Sequence, residues 1–478
     1  MEAALVQVQK SHVAIIGAGA SGVILASALI RPPAAVNVVL IDPRPGRGVG
    51  YGGAAADVLL NTRAGNMSIN ARSPEGFVDW LNASAARPDR WTTEDFAPRA
   101  LFGDYLQRQL ACLEGRTPGL GTTRVVKGSA LAAERTEDGW SIRLASGERV
   151  LADALVLATG WARPRPLLFQ GREVIEAFVQ DDPWDEQALE ALPRGGAVLL
   201  IGTGLTALDV AQAVWRRSPQ TRVIAVSRHG MLPRVHGSPE PTAPVLSKPY
   251  PKTARELYAK LRAAAAFVEG DPSLRHGVFL NLREVAADLW DGLSEHERRM
   301  FLRHFRRYWE VERHRTPPAQ AEAVRTALDE GRFEVERGRL AEGLASPDGV
   351  AARVGLLTSK GPRALCVTRI INCTGPEQDP FRSRNPLLLD LLAQGAAAAD
   401  PLGLGLHVDG QGDVLDARGQ ASPGLYALGP PTQGRFFEIT SVAEIRSQAD
   451  RLAGQLLANV EVPEPIGLMP WPTRSLTR

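Results

Sequence analysis

Two stretches of the chain place glycines where a nucleotide diphosphate needs them. Residues 12–22 read His-Val-Ala-Ile-Ile-Gly-Ala-Gly-Ala-Ser-Gly, so Gly17, Gly19 and Gly22 satisfy G-x-G-x-x-G. Residues 198–207 read Val-Leu-Leu-Ile-Gly-Thr-Gly-Leu-Thr-Ala, where Gly202, Gly204 and Ala207 form G-x-G-x-x-A. In each, the first glycine permits a tight turn and the second lets a diphosphate approach the backbone. The third small residue lets the following helix pack close to its strand. The amides and dipole of that helix then favour the anion. The two turns lie about 185 residues apart. The chain is therefore expected to hold two nucleotides at once, a flavin and a nicotinamide, and to move a hydride between them.

The flanking residues supply what each turn requires. Residues 13–16 form a short apolar, β-branched run suited to a buried parallel strand. A helix follows through Val23, Ile24, Leu25, Ala28 and Leu29 and stops before Pro32-Pro33. A second strand over 36–41 delivers Asp42 twenty residues after Gly22, placed to accept hydrogen bonds from a ribose hydroxyl. Gly17, Gly19, Ala20, Ser21, Gly22, Asp42 and Arg44 are assigned to this first site, for FAD. After the second turn, the strand over 222–226 ends at Ser227-Arg228-His229 and not at an acid. An arginine beside a hydroxyl suits a 2′-phosphate, which favours NADPH. Gly202, Gly204, Ser227 and Arg228 form this second site. A solvated strand-end charge remains the other reading of Arg228.

The elements that must position these turns set the fold class. A chain of 478 residues suits two or three domains, and its 44% apolar content supports packed cores. The expectation is α/β: two Rossmann-like dinucleotide-binding domains, with the NADP domain inserted in the FAD domain. Residues 1–160 would be the first part of the FAD domain and 336–478 the second. Residues 161–335 would be the NADP domain, with a helical insertion over 251–330. Short strands at 124–126, 140–144 and 149–151 read as a β-meander. A separate apolar strand then ends in Ala158-Thr159-Gly160 before Pro164 and Pro166. Residues 333–368 read as a further set of short strands with a turn near 347–349, and Thr374-Gly375 repeats the strand-Thr-Gly ending. The insertion is rich in arginine and aromatic residues from Arg298 to Trp309. It reads either as an amphipathic helix with a solvated basic face or as a lid whose Arg313-His314-Arg315 faces an anionic substrate. It is also a candidate subunit contact.

Composition excludes several classes. A net charge of +2 gives no reason to expect nucleic acid or an anionic membrane as partner. No run of eighteen apolar residues and no signal-peptide pattern is present, which leads to an expectation of a cytoplasmic protein. The three cysteines, Cys112, Cys366 and Cys373, include no close redox pair, and Cys366 and Cys373 read as buried strand residues. The eight histidines form no credible metal set.

Several segments together resemble one family. They include the first glycine-rich turn, Gly50-Tyr51, Leu59-Leu60-Asn61, Asp182-Pro183-Trp184-Asp185 and Gly202-Thr203-Gly204-Leu205-Thr206. The run from Ser227 to His236, Arg313-His314-Arg315, the run from Leu425 to Gly434, Glu438-Ile439 and the run from Glu444 to Gln448 complete the set. The chain resembles the FAD/NAD(P)-binding proteins related to class B flavin monooxygenases and amino-acid N-hydroxylases. The resemblance implies that Leu60, Asn61, Met67 and Ser68 lie beside the isoalloxazine. It implies that Ala427 to Gly429, with Pro430 next to them, close over the flavin phosphates and ribityl chain, that Leu205 and Thr206 touch the phosphates of the nicotinamide nucleotide, and that Thr159, Gly160, Thr374 and Gly375 mark the crossings between domains. One departure is that Phe169, Gly171 and Ile175 stand where many class B enzymes carry F-x-G-x-x-x-H. The missing histidine argues against a Baeyer–Villiger or microsomal-type enzyme.

The activity implied is an NADPH-dependent FAD monooxygenase acting with molecular oxygen through a C4a-hydroperoxyflavin. It would oxygenate a small soft nucleophile, an amine nitrogen or a sulfur. The arginines point to a carboxylate-bearing substrate. Two alternatives use the same cofactors: an NAD(P)H-dependent reductase with a quinone or protein acceptor, and a redox-sensing flavoprotein without turnover. His314, His236 and Asn61 are the candidate catalytic residues, and a structural role stays open for each histidine.

Overall fold

The computed structural model describes residues 11–31, 36–52, 58–84, 89–117, 121–192, 194–240, 242, 244–346 and 349–458. The proposed helix stop at Pro32-Pro33 and the turn at Pro347-Asp348 lie outside them.

Two sheets carry the two turns. In the first, Ser11–Ile16 runs parallel between Val38–Asp42 and Arg149–Leu157. Its residues are buried on both faces, so the sequence shows a continuous apolar run and no alternation. Ile15, Leu40 and Val156 face a core shared with helices Ala20–Leu29 and Val442–Ala458, while Ile16, Val39 and Leu157 face Leu387, Leu391 and the meander. In the second sheet, Ala197–Ile201 runs parallel between Arg222–Ser227 and Arg369–Asn372. Each glycine-rich turn therefore leaves the C-terminal end of a central parallel strand, where open α/β sheets bind ligands.

Pairing corrects four expectations. Residues 124–126 lie in strand Gly121–Lys127, which runs parallel to Val38–Asp42, and the meander instead begins with Ala130–Thr136, which pairs with Gly139–Leu144. Residues 149–151 and the apolar run after Asp153 form one strand, Arg149–Leu157, because no turn residue separates them. Its first half pairs with Gly139–Leu144 and its second with Ser11–Ile16. Strands Phe333–Ala345, Ala352–Thr358, Gly361–Val367 and Arg369–Asn372 all join the second sheet. The chain is thus still in that sheet at 336, and rejoins the first sheet's strands only at Asp413–Leu415 and Ala421–Ala427. Finally, Cys373 is buried but Cys366 is exposed, because Leu365 and Val367 take the inward positions of its strand.

The helical insertion divides by role. Pro318–Asp329 lies against Leu205–Arg217 as the crossover between Arg222–Ser227 and Phe333–Ala345. The four helices before it, Ala254–Phe267, Pro272–Gly292, Glu295–His304 and Arg306–Arg313, share a core of their own. Phe301 and Trp309 point into that core, and so do Leu404 and Phe437 from the C-terminal part of the chain. The arginine-rich stretch is therefore two helices broken near Phe305, with Phe301 and Trp309 buried and Tyr308 exposed. The insertion thus packs against the C-terminal part of the chain.

Candidate functional site

The first turn admits only glycine at two points. Gly17 has φ +108°, and a Cβ there would lie 2.3 Å from the Ala158 carbonyl oxygen; at Gly22 it would lie 1.9 Å from the Gly17 oxygen. Helix Ala20–Leu29 starts at Gly19 and helix Leu205–Arg217 at Gly204, and neither has a side-chain cap. By contrast, Thr253, Asp271, Ser294 and Asn385 cap their helices with their own side chains. The first-turn amides at both glycine-rich turns thus stay available to an anion. Asp42 Oδ2 accepts from the Ala18 amide at 2.8 Å, and Oδ1 accepts from the Arg44 amide at 2.7 Å. These bonds fix the carboxylate at the rim of the turn, with lone pairs left for ribose hydroxyls. Arg44 contributes that amide, while its side chain is exposed.

The C-terminal part closes over this turn. Gly429, at φ +73°, packs so near Ser21 that a Cβ would sit 2.6 Å from the Ser21 hydroxyl. The Gly429 amide donates to Gln448 Oε1 at 2.8 Å, and the Thr432 hydroxyl donates to the Gly429 carbonyl at 2.8 Å. Pro430 opens the short turn Pro430–Thr432. The role of Gln448 was missed from sequence; its signal is a buried polar residue on the apolar helix face of Ile445 and Leu452. Leu60 and Met67 are buried. Ser68 is buried too, donating to Ser73 O at 2.6 Å while its own carbonyl accepts from Arg446 Nη1 at 2.6 Å. The glycine-rich turn, Asp42 and Gly429 form a tight, anion-receptive cradle that fits FAD.

The second turn repeats the geometry and adds charge. A Cβ on Gly202, at φ +127°, would lie 2.2 Å from Cys373 O. Leu205 and Thr206 open the helix half-buried. Ser227 turns inward, bonding the Thr203 hydroxyl at 2.8 Å and accepting from the Gly230 amide at 3.0 Å. Its hydroxyl therefore shapes the turn. Arg228 is exposed beside it. Arg337 stands opposite Ser227 in the parallel register. Burial first, then the charges of Arg228, Arg307 and Arg337, hold the His229 imidazole below its ordinary range. Three arginines from three elements thus meet at one strand end, and sequence reasoning had found one.

The crossings between the sheets run side by side. Ala162 bridges Glu377, and Asn372 Nδ2 donates to Arg165 O at 2.8 Å. The Thr374 hydroxyl donates to Asn372 Oδ1 at 2.7 Å, so this threonine braces the crossing at Gly375. A cleft beside them is lined by Thr159, Gly160, Trp161, Gln378 and Pro430. Helix Arg306–Arg313 reaches its rim. Arg306 donates to Gln378 Oε1 at 3.0 Å, and Gln378 Nε2 donates to Gln433 Oε1 at 2.7 Å. Glu438 accepts from Trp309 Nε1 at 2.6 Å and from Arg313 Nη2 at 2.9 Å. Burial works to raise the Glu438 carboxyl, but Arg313, His314 and these bonds outweigh it and hold it low. His314 ends the helix near Glu438 and Glu310, where burial is the main force lowering its imidazole. Arg315 turns away and donates to Val235 O at 3.0 Å. The Arg313-His314-Arg315 stretch therefore does not face one point.

His236 lies in a different setting. Its Nε2 donates to the Asn61 carbonyl at 2.9 Å, and its Nδ1 is enclosed without a partner. Its ring packs 4.9 Å from Phe96 and 5.5 Å from His276. This geometry makes it a neutral strut behind Asn61. Burial, aided by neighbouring positive charge, pushes both His236 and His276 from the ordinary 6.5 to about 4. Both rings bind fewer protons folded than unfolded, so acid favours the unfolded chain. Stability is expected to be full above pH 6.5 and to fall as pH drops from 6.5 toward 4. Urea unfolding of wild type and His236→Gln/His276→Gln across that range tests it. The variant should show a flatter loss, and equal slopes would refute the assignment.

Residues 14–162 match the sequence family described as FAD-NAD(P)-binding. No curated protein matches the chain by sequence. The structure is similar to that of reduced ornithine hydroxylase from Pseudomonas aeruginosa, with 17% identity, 94% of this chain and 99% of that chain covered, and a TM-score of 0.62. It is also similar to Kutzneria sp. 744 ornithine N-hydroxylase, solved with reduced FAD, NADP+ and L-ornithine, at 16% identity, the same coverages and a TM-score of 0.60. Bacillithiol disulfide reductase from Bacillus cereus matches at 12% identity, again over 94% and 99%, with a TM-score of 0.56. The chain has the two-sheet fold of FAD- and NAD(P)-binding flavoproteins.

Proposed function

We propose that this protein is an NADPH-dependent FAD monooxygenase that oxygenates a small soft nucleophile, preferentially an amine nitrogen. The observation that carries this reading is the joint presence of two uncapped glycine-rich turns and a helical insertion that reaches the rim of the cleft between the crossings through Arg306 and Gln378. Gly17 to Gly22, Asp42 and Gly429 hold FAD. Gly202 to Thr206 hold the NADPH diphosphate, and Arg228 meets the 2′-phosphate. Bound flavin supplies hydride acceptance and oxygen activation. The chain itself orients the two nucleotides and, through the insertion, excludes water. In this reading His314, at the edge of the insertion, takes the proton from the substrate amine, and Asn61, whose carbonyl accepts from His236, stands beside the flavin. The carboxylate expected on the substrate belongs to the same reading.

A second reading, a reductase, is favoured by the likeness to a disulfide reductase. Cys112, Cys366 and Cys373 are all free, so its acceptor would be a quinone or a protein.

One experiment separates them. FAD-loaded protein is reduced anaerobically with NADPH, then mixed with oxygen and a panel of small amines and thiols. Hydroxylated product in step with NADPH, with a separate phase between the reduced and oxidised spectra, supports the monooxygenase. Peroxide alone across the panel, with fast quinone reduction, supports the reductase. His314→Ala should lower product per NADPH by roughly 100-fold with flavin content intact. A full-rate variant removes His314 from the chemistry.

A further inference from the structure

The insertion reaches the second nucleotide turn through one side chain. Arg307, in helix Arg306–Arg313, donates from Nη2 to the Thr203 hydroxyl at 3.2 Å and to the Met231 carbonyl. Its Nη1 lies 3.9 Å from where a Cβ on Gly204 would stand, over the open face of the turn. Gly204 is the residue whose missing side chain lets a diphosphate approach. Among the described residues no carboxylate pairs with Arg307, and neither Nη1 nor Nε makes a hydrogen bond. The adjacent Arg306, by contrast, is paired with Glu310 at 2.7 Å. This half-buried guanidinium is hydrogen-bonded only to neutral oxygens, and Glu310, whose charge acts on it, is already paired with Arg306. Its fork still has donors directed at the helix terminus, whose first-turn amides are also uncapped.

We infer that Arg307 binds the diphosphate of the nicotinamide nucleotide, so that the helical insertion forms one wall of the second nucleotide site. This rests on the reading of that site as a nicotinamide site. The same helix carries Arg306, Trp309, Arg313 and His314 to the flavin side. A diphosphate bound by Arg307 therefore anchors the helix whose neighbouring Arg306 reaches the rim of the cleft. The contact differs from that of Arg228, since the diphosphate is common to NADP+ and NAD+ while the 2′-phosphate is not.

The test is calorimetric titration of NADP+ and of NAD+ into the FAD-loaded full chain. Arg307→Gln keeps much of the side chain's length and a donor for Thr203, but removes the charge. It should weaken both nucleotides by the same factor, roughly 10- to 100-fold. Arg307→Lys, which keeps the charge and loses the fork, should lose less. Arg228→Ala should weaken NADP+ and leave NAD+ unchanged. Flavin absorbance and the urea midpoint report whether each variant is folded. Wild-type affinity in Arg307→Gln, or a loss confined to NADP+, overturns the inference and leaves the nicotinamide reading standing. Wild-type protein that binds neither nucleotide overturns that reading itself.

Discussion

Gly17→Ala is expected to leave the protein without retained FAD. The added Cβ would meet the Ala158 carbonyl oxygen at 2.3 Å and its carbon at 2.8 Å, and both are backbone atoms that no rotamer change can move. The φ of +108° adds strain for any L side chain. Either the turn or the end of strand Arg149–Leu157 must shift, and both border the flavin cradle at Ser21 and at Thr159-Gly160. A combined penalty of about 3 kcal/mol corresponds to roughly 100-fold weaker binding. Flavin absorbance per polypeptide after gel filtration measures it. Gly147→Ala is the control. It also has positive φ, +87°, but nothing lies within 4 Å of its added Cβ. The control should keep its flavin. Full occupancy in Gly17→Ala would show that the diphosphate does not lie at this turn.

Asp209→Ala is expected to destabilise the fold by about 3–5 kcal/mol, the range for removing one partner of a buried ion pair. Asp209 sits in helix Leu205–Arg217 with its side chain 3% exposed, and Arg99 Nη2 approaches it at 3.3 Å. Gln320 Nε2 donates to its other oxygen at 2.6 Å, and the Thr316 hydroxyl holds Gln320 in place at 2.7 Å. Arg99 begins the helix Arg99–Leu113 beside the first sheet, so this carboxylate ties the two nucleotide units together. Its loss leaves a guanidinium and an amide without their acceptor. Urea unfolding should show the loss, and Arg99→Leu/Asp209→Leu should recover much of it by removing both charges. Anaerobic flavin reduction by NADPH should slow in Asp209→Ala, because a strut between the two sites is gone. A stability change under about 1 kcal/mol would mean that Arg99 finds another acceptor or water.

Contacts distant in sequence bear on two of the candidate residues. His236 follows a motif-like stretch and reads as an acid–base candidate, yet its ring braces Asn61 across the interface. Ser227 reads as a phosphate ligand, yet its hydroxyl is engaged with Thr203 and Gly230. In both cases the residue type was visible and its partner was not.

The sequence by itself determined both glycine-rich turns, the parallel strands that feed them, Asp42 at the end of the second strand and the two strand-Thr-Gly crossings. These features are local. The turn conformation, the apolar run and the helix start all lie within a few residues of each other, and short-range sterics dictate them. Tertiary structure alone decided that residues 336–372 join the second sheet, that Gly429 closes on Ser21, and that Arg307 and Arg337 come to Arg228. It also decided the pairs Arg99–Asp209 and Trp309–Glu438, whose partners lie 110 and 129 residues apart. No periodicity specifies such a partner. It is set by which faces pack together once both sheets and the insertion have buried their apolar surfaces.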